Sequence, residues 1–120
     1  MLHRDSRPGP WAGYDSLEAA IDGLRRARFR IEKQYTVTNR GTVIDGIIDS
    51  GAVAAGMVLI AERRGSPNIL VELPIRAVEE VRRSGAVRVG LVLGDDLMAL
   101  GNPVLDEGTT LDVLERSPSA

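Results

Sequence analysis

The side chains able to do chemistry in this chain are almost all carboxylates and guanidinium groups: 17 Asp and Glu and 15 Lys and Arg stand against one histidine and no cysteine in 120 residues. Asp45 and Asp49 fall on one face of an alternating run, and Asp95 and Asp96 adjoin each other. Such pairs are the only metal-ligating material present, without a His/Cys cluster beside them, and solvation and turn formation account for them well. His3 lies close to Arg7-Pro-Gly-Pro in a stretch without periodicity, so it has no fixed partner and is no positioned base. No Ser-His-Asp or Cys-His set can be assembled. A Gly-x-x-x-x-Gly-Lys-Ser/Thr loop is absent, which removes both the backbone cradle and the lysine that a nucleoside triphosphate needs. The expectation is a protein that is no enzyme, binds no GTP and uses neither metal nor cofactor.

Charge is distributed unevenly. Residues 1–40 hold eight Lys/Arg against five Asp/Glu, and residues 41–120 hold seven against twelve, so a +3 segment precedes a −5 one. Arg25, Arg26, Arg28 and Arg30 make the densest basic stretch. A duplex-binding protein is normally far more basic than a chain of net charge −2. At 43% hydrophobic and 27% charged residues the composition is that of a globular domain. The longest uncharged apolar run, Ala52 to Ala61, is too short to span a bilayer, and the first residues carry charge and proline in place of an apolar signal core. Without cysteine, disulfides and thiolate chemistry are excluded, and the cytoplasm is the default expectation.

The elements that must position these groups follow from periodicity. Residues 1–14 read as a flexible leader. Asp15-Ser-Leu-Glu18 has the form of a capping box, and Leu17, Ala20, Ile21, Leu24 and Ala27 follow at helical spacing, which predicts an amphipathic helix within 15–28. Arg25, Arg26 and Arg28 then crowd its last turn, where positive charge meets the helix dipole. From Phe29 the period becomes two, with Phe29, Ile31, Lys33, Tyr35 and Val37 on one face. Further strands are expected at Thr42 to Asp49, Met57 to Arg63, Ile69 to Arg82 with a bend at Pro74 or at Glu79-Glu80, Val87 to Leu93, Val104-Leu105 and Leu111 to Glu115. Ala77 to Arg82 also reads as a helical turn. The barrel domain is taken as 29–116 and the tail as 117–120. On the strand 42–49, Ile44, Gly46 and Ile48 should point inward, leaving Val43 and Ile47 as an outward apolar face for the helix or a second chain.

Gly41, Gly46, Gly51 and Gly56 recur at intervals of five through this hairpin. A glycine inside a strand marks curvature or a close approach that leaves no room for a Cβ. Together with Tyr35, Arg40-Gly41-Thr42-Val43, Ile48 and Val53, the glycines resemble domain II of the translational GTPases such as elongation factor Tu. Ser84-Gly85-Ala86-Val87-Arg88-Val89-Gly90-Leu91-Val92-Leu93 and Gly101-Asn-Pro-Val-Leu105 extend the resemblance over about residues 29–105. It implies an all-β fold: a small closed antiparallel barrel of about six strands preceded by one α-helix. It also implies a binding surface for the aminoacylated end of transfer RNA, carried here by Glu32, Tyr35 and Arg40, with Lys33 where the family has a second acid. Tyr35 would stack on a base, and Arg30, Lys33 and Arg40 would meet phosphates.

Two expectations about function follow. The first is a binding module that docks on a protein or an RNA of the translation apparatus, its basic edge formed by Arg25, Arg26, Arg28 and Arg30. The second is a structural or regulatory domain that forms a homodimer through Val43 and Ile47 and has no nucleic-acid role.

Overall fold

Apolar and polar residues alternate along most of this chain, and the result is an all-β molecule with one short helix. The computed structural model describes residues 2–4, 11 and 13–119. Its strands are β1 (Leu2–His3), β2 (Arg25–Val37), β3 (Gly41–Gly51), β4 (Val58–Arg63), β5 (Ser66–Pro74), β6 (Ala77–Arg83), β7 (Ala86–Gly94) and β8 (Thr110–Leu114). They pair antiparallel in a single eight-stranded sheet of order β1-β5-β4-β8-β2-β3-β7-β6.

The sheet is not the expected closed barrel of about six strands: β1 and β6 end the order and do not pair with each other. The run expected as one strand from Ile69 to Arg82 divides after Pro74, and Ala77 to Arg82 is strand throughout, with no helical turn. Ile75 and Arg76 alone join β5 to β6, from one side of the sheet to the other, so the sheet must curl strongly. That link is tied at both sides. Ile75 N–H donates to the Met57 carbonyl at 2.9 Å, Gly56 N–H donates to the Ile75 carbonyl at 2.9 Å, and Arg76 N–H donates to the Val92 carbonyl at 2.8 Å. Beyond it β6 runs along β7 only. The expected closing strand at Val104-Leu105 is replaced by an isolated bridge from Pro103 to Arg63.

Inside the curl lie Phe29, Ile31, Ile44, Leu59, Leu73, Leu91, Leu93 and Leu105, all fully buried. A second cluster holds the helix α1 (Leu17–Leu24). Leu17, Ile21 and Leu24 pack with Leu2, Val58, Ile60, Leu70 and Leu114, so the helix docks over β4, β5 and β8 and not on the Val43 and Ile47 face. Its N-cap is Ser16, whose Oγ accepts from Ala19 N–H at 3.1 Å, in place of the expected Asp15. Its end comes earlier than the expected boundary at 28. Arg25 is already extended (φ −62°, ψ 129°), and Arg25, Arg26 and Arg28 belong to β2.

Of the expected leader 1–14, Leu2–His3 joins the sheet against Leu70 and Ile69, while residues 1, 5–10 and 12 lie outside the described residues. In the expected tail 117–120, the Ser117 hydroxyl donates to Glu72 and Pro118 is buried; Ala120 lies outside the described residues. Among the described residues no helix is long and apolar enough to cross a membrane.

Candidate functional site

The β2–β3 hairpin carries the site, and a bulge in β2 decides which side chains reach it. Ile31 lies opposite Gly46 and Lys33 opposite Asp45, so β2 advances two residues while β3 advances one. Glu32 is the extra residue. Such an insertion changes the phase of the inside–outside alternation. Phe29 and Ile31 lie in the core with Ile44, but further along β2 the register sets Tyr35 beside Val43, on the sheet's other face with Asp45. The expected common face of Phe29, Ile31, Lys33, Tyr35 and Val37 is therefore broken at Glu32. Gly46 belongs to the same device. A Cβ on it would lie 1.9 Å from the Arg30 carbonyl oxygen, so it is the neighbouring backbone that excludes a side chain.

The outer face then collects charge from four strands. Arg83 on β6 places Nη2 2.7 Å from Asp45 Oδ1 on β3 and 3.2 Å from Glu32 Oε1 on β2. Arg88 on β7 donates through Nε to the same Glu32 oxygen, and Arg40 in the hairpin turn pairs with Glu79 on β6. Asp45 is 0% exposed, and its Oδ2, like Arg83 Nε, is buried without a hydrogen-bond partner. The hydrogen bond from Arg88 holds the Glu32 carboxyl below its ordinary range, with the charge of Arg83 adding to it. Burial pushes the Tyr35 phenol up, and the negative charge of Asp45 pushes it the same way. The Arg83 guanidinium is held still more firmly protonated by its bond to Asp45, and that of Arg40 by its bond to Glu79.

Beside this network Tyr35, Val37, Val43, Val81 and Arg40 line a shallow groove of about 300 Å³. A second hollow of about 370 Å³ lies at the hairpin tip, between Asn39, Arg40, Arg76 and Asp95, so Arg40 borders both. The arrangement offers an aromatic ring, an aliphatic floor and oriented ion pairs. Glu32, Asp45 and Glu79 are each paired with a guanidinium group.

Of the residues expected from sequence, Glu32, Tyr35 and Arg40 come together here, and Lys33 is exposed on the same hairpin. Val43 lies on the outer face, as its alternation with Ile44 predicts, but it is covered there instead of exposed. It is 3% exposed, at the floor of the groove with Tyr35, Val37 and Val81, and Ile47 is half-buried opposite Arg30. The expected basic edge is neutralised residue by residue. Arg25 bonds Asp112 and Asp22, Arg28 shares Asp112, Arg26 bonds Glu115 and Arg30 lies 3.7 Å from Asp49. The third and fourth members of the network, Arg83 and Arg88, were not among the expected residues. Their alternation is visible in sequence, but the β3-β7-β6 order that brings them to Asp45 and Glu32 is not. No protein-family model, curated protein or solved structure matches this chain.

Proposed function

We propose that this chain is a non-enzymatic docking module that receives a protein partner on the outer face of the β2–β3 hairpin, at the groove beside Tyr35 and Arg40. The observation that carries the reading is this groove itself: a half-buried tyrosine over aliphatic side chains, rimmed by Arg40 and Arg82, which pair with Glu79 and Glu80. Buried aromatic and arginine anchors with a polar rim are the composition of interface centres. A depressed, paired Glu32 is a poor proton acceptor, which supports a binding role over an acid–base one. The Arg40-Gly41-Thr42-Val43 resemblance supports a cytoplasmic partner from the translation apparatus, with no part for GTP, metal or cofactor.

Protein is favoured over RNA because, of the three cations expected to meet phosphate, Arg30 and Arg40 already face carboxylates and Lys33 stands exposed by itself. Arg25, Arg26, Arg28, Arg30 and Arg40 each face a carboxylate that would repel an incoming phosphate. Self-association through Val43 and Ile47 loses its support, since Val43 is buried. The test is a titration of the full chain with bulk transfer RNA at low and physiological salt, followed by fluorescence anisotropy. No saturable binding is expected. Saturable binding that weakens with salt and disappears in Tyr35→Ala would make RNA the partner and overturn the protein reading.

A further inference from the structure

Among the described residues the strand β6 has a neighbour on one side only, so along Ala77–Arg83 alternate backbone N–H and carbonyl groups face outward from the sheet. Unlike β1, whose two residues make the opposite end, β6 is a seven-residue edge. Its sequence is Ala77-Val-Glu-Glu-Val-Arg-Arg83. Edges are commonly protected by charge of a single sign, which repels a second copy in any register. This edge carries two acids, a valine and two bases in mirror order, which does the opposite.

We propose that β6 is the seam of a homodimer, two copies pairing their β6 strands antiparallel about a two-fold axis through Val81 and continuing the sheet from one molecule into the next. A two-fold axis that makes neighbouring strands antiparallel stands perpendicular to the sheet, so a residue meets its own counterpart at the axis. An axis at Glu79 or Glu80 sets two glutamates against each other, and an axis at Arg82 or Arg83 sets two arginines against each other. Axes at Ala77 and Val78 set no like charges together but leave Arg82 and Arg83 beyond the paired strands; of the axes on β6, the one at Val81 avoids every like-charge contact and engages all five residues. It places Glu80 of each copy opposite Arg82 of the other and Glu79 opposite Arg83, so all four charged positions meet the opposite sign.

Two features of the chain fit this seam. Glu80 and Arg82 are well exposed, with side-chain exposures of 58% and 76%, and their contact within one copy is 3.4 Å long, so both side chains are free to reach across. Val78 and Val87, two of the three large hydrophobic residues exposed among the described residues, lie on the β6–β7 hairpin that flanks the axis. Arg83 keeps Asp45 and Glu32 in this arrangement, because its guanidinium has donors to spare for a further carboxylate. The groove at Tyr35 shares Glu79, Glu80, Val81 and Arg82 with the seam, so a dimer brings two such grooves to its interface. The inference rests on the edge strand and the order of its charges, not on what that groove binds.

The test is sedimentation equilibrium of the full chain over a wide concentration range, with folding of each variant followed by circular dichroism. The parent chain should dimerise, more weakly as salt rises. Arg82→Glu and Glu80→Arg should each weaken the dimer by about tenfold or more, since each reversal converts two symmetry-related contacts from attractive to repulsive. The exchange Glu80→Arg with Arg82→Glu restores the mirror pattern and should restore the dimer. A parent chain that stays monomeric, a dimer indifferent to the single reversals, or an exchange variant no tighter than they are would each overturn the proposal; the middle result would place the contact on another surface.

Discussion

Asp45 is the residue on which the outer face depends. Its carboxylate is fully buried, with one oxygen on Arg83 and the other without a partner, so removing the guanidinium strands a charge in the sheet. A stranded buried Asp45 costs about 1–3 kcal/mol or more. Asp45→Asn should be milder, because it removes the buried charge and leaves Arg83, which is partly exposed, to Glu32 and water. Urea unfolding should therefore rank Arg83→Ala as less stable than Asp45→Asn, and the reverse order would contradict the assignment of Asp45 as the buried partner. Glu32 adds a dependence on pH. Its folded value lies below the ordinary 4.5, so its contribution is complete above that pH and is lost as pH falls through the folded value. Glu32→Gln should be less stable than the parent at neutral pH, with the difference shrinking as acid protonates the parent's carboxyl. A difference that stays constant from neutral pH to well below 4.5 would show that the ion pairs to Arg83 and Arg88 contribute nothing.

Among the elements, the Glu32 bulge and Gly46 opposite it work as one unit, and Gly46→Ala should cost about 1–3 kcal/mol or more by forcing the Arg30 carbonyl away. Gly56 is a useful contrast. No atom lies within 4 Å of its would-be Cβ, and only its φ of +93° resists substitution. Thermal melts should place Gly46→Ala well below Gly56→Ala, and equal melting temperatures would remove the close-approach explanation. Gly46 was legible in sequence as a place without room for a side chain, and Gly56 as a turn position needing positive φ. The bulge was not, because Phe29 to Val37 alternates without visible interruption and the extra residue shows only in the pairing to β3. The helix end was hidden for a related reason: Ala27 satisfies both the helical spacing from Leu24 and the two-residue spacing to Phe29. Its true partner, Val113 on β8, is distant in sequence.

At the scale of the whole molecule, the all-β class, the antiparallel pairing and the preceding helix were legible because each rests on local periodicity. Strand order and closure were not, since they depend on pairings such as β2 with β8 and β3 with β7 that no local pattern encodes. The same separation misled the reading of charge. The +3 of residues 1–40 suggests a basic edge only until Asp49, Asp112 and Glu115 are folded against it. What remains distinctive is the groove at Tyr35 and Arg40. The central claim, a protein-docking hairpin face, is tested most directly by capture on the immobilised full chain from nuclease-treated lysate, quantified by mass spectrometry against a Tyr35→Ala/Arg40→Ala variant of matched melting temperature. The account expects a protein retained by the parent after nuclease and reduced about tenfold or more by the variant, as loss of interface anchors does. Equal capture by both chains, or capture that vanishes with the RNA, would contradict it.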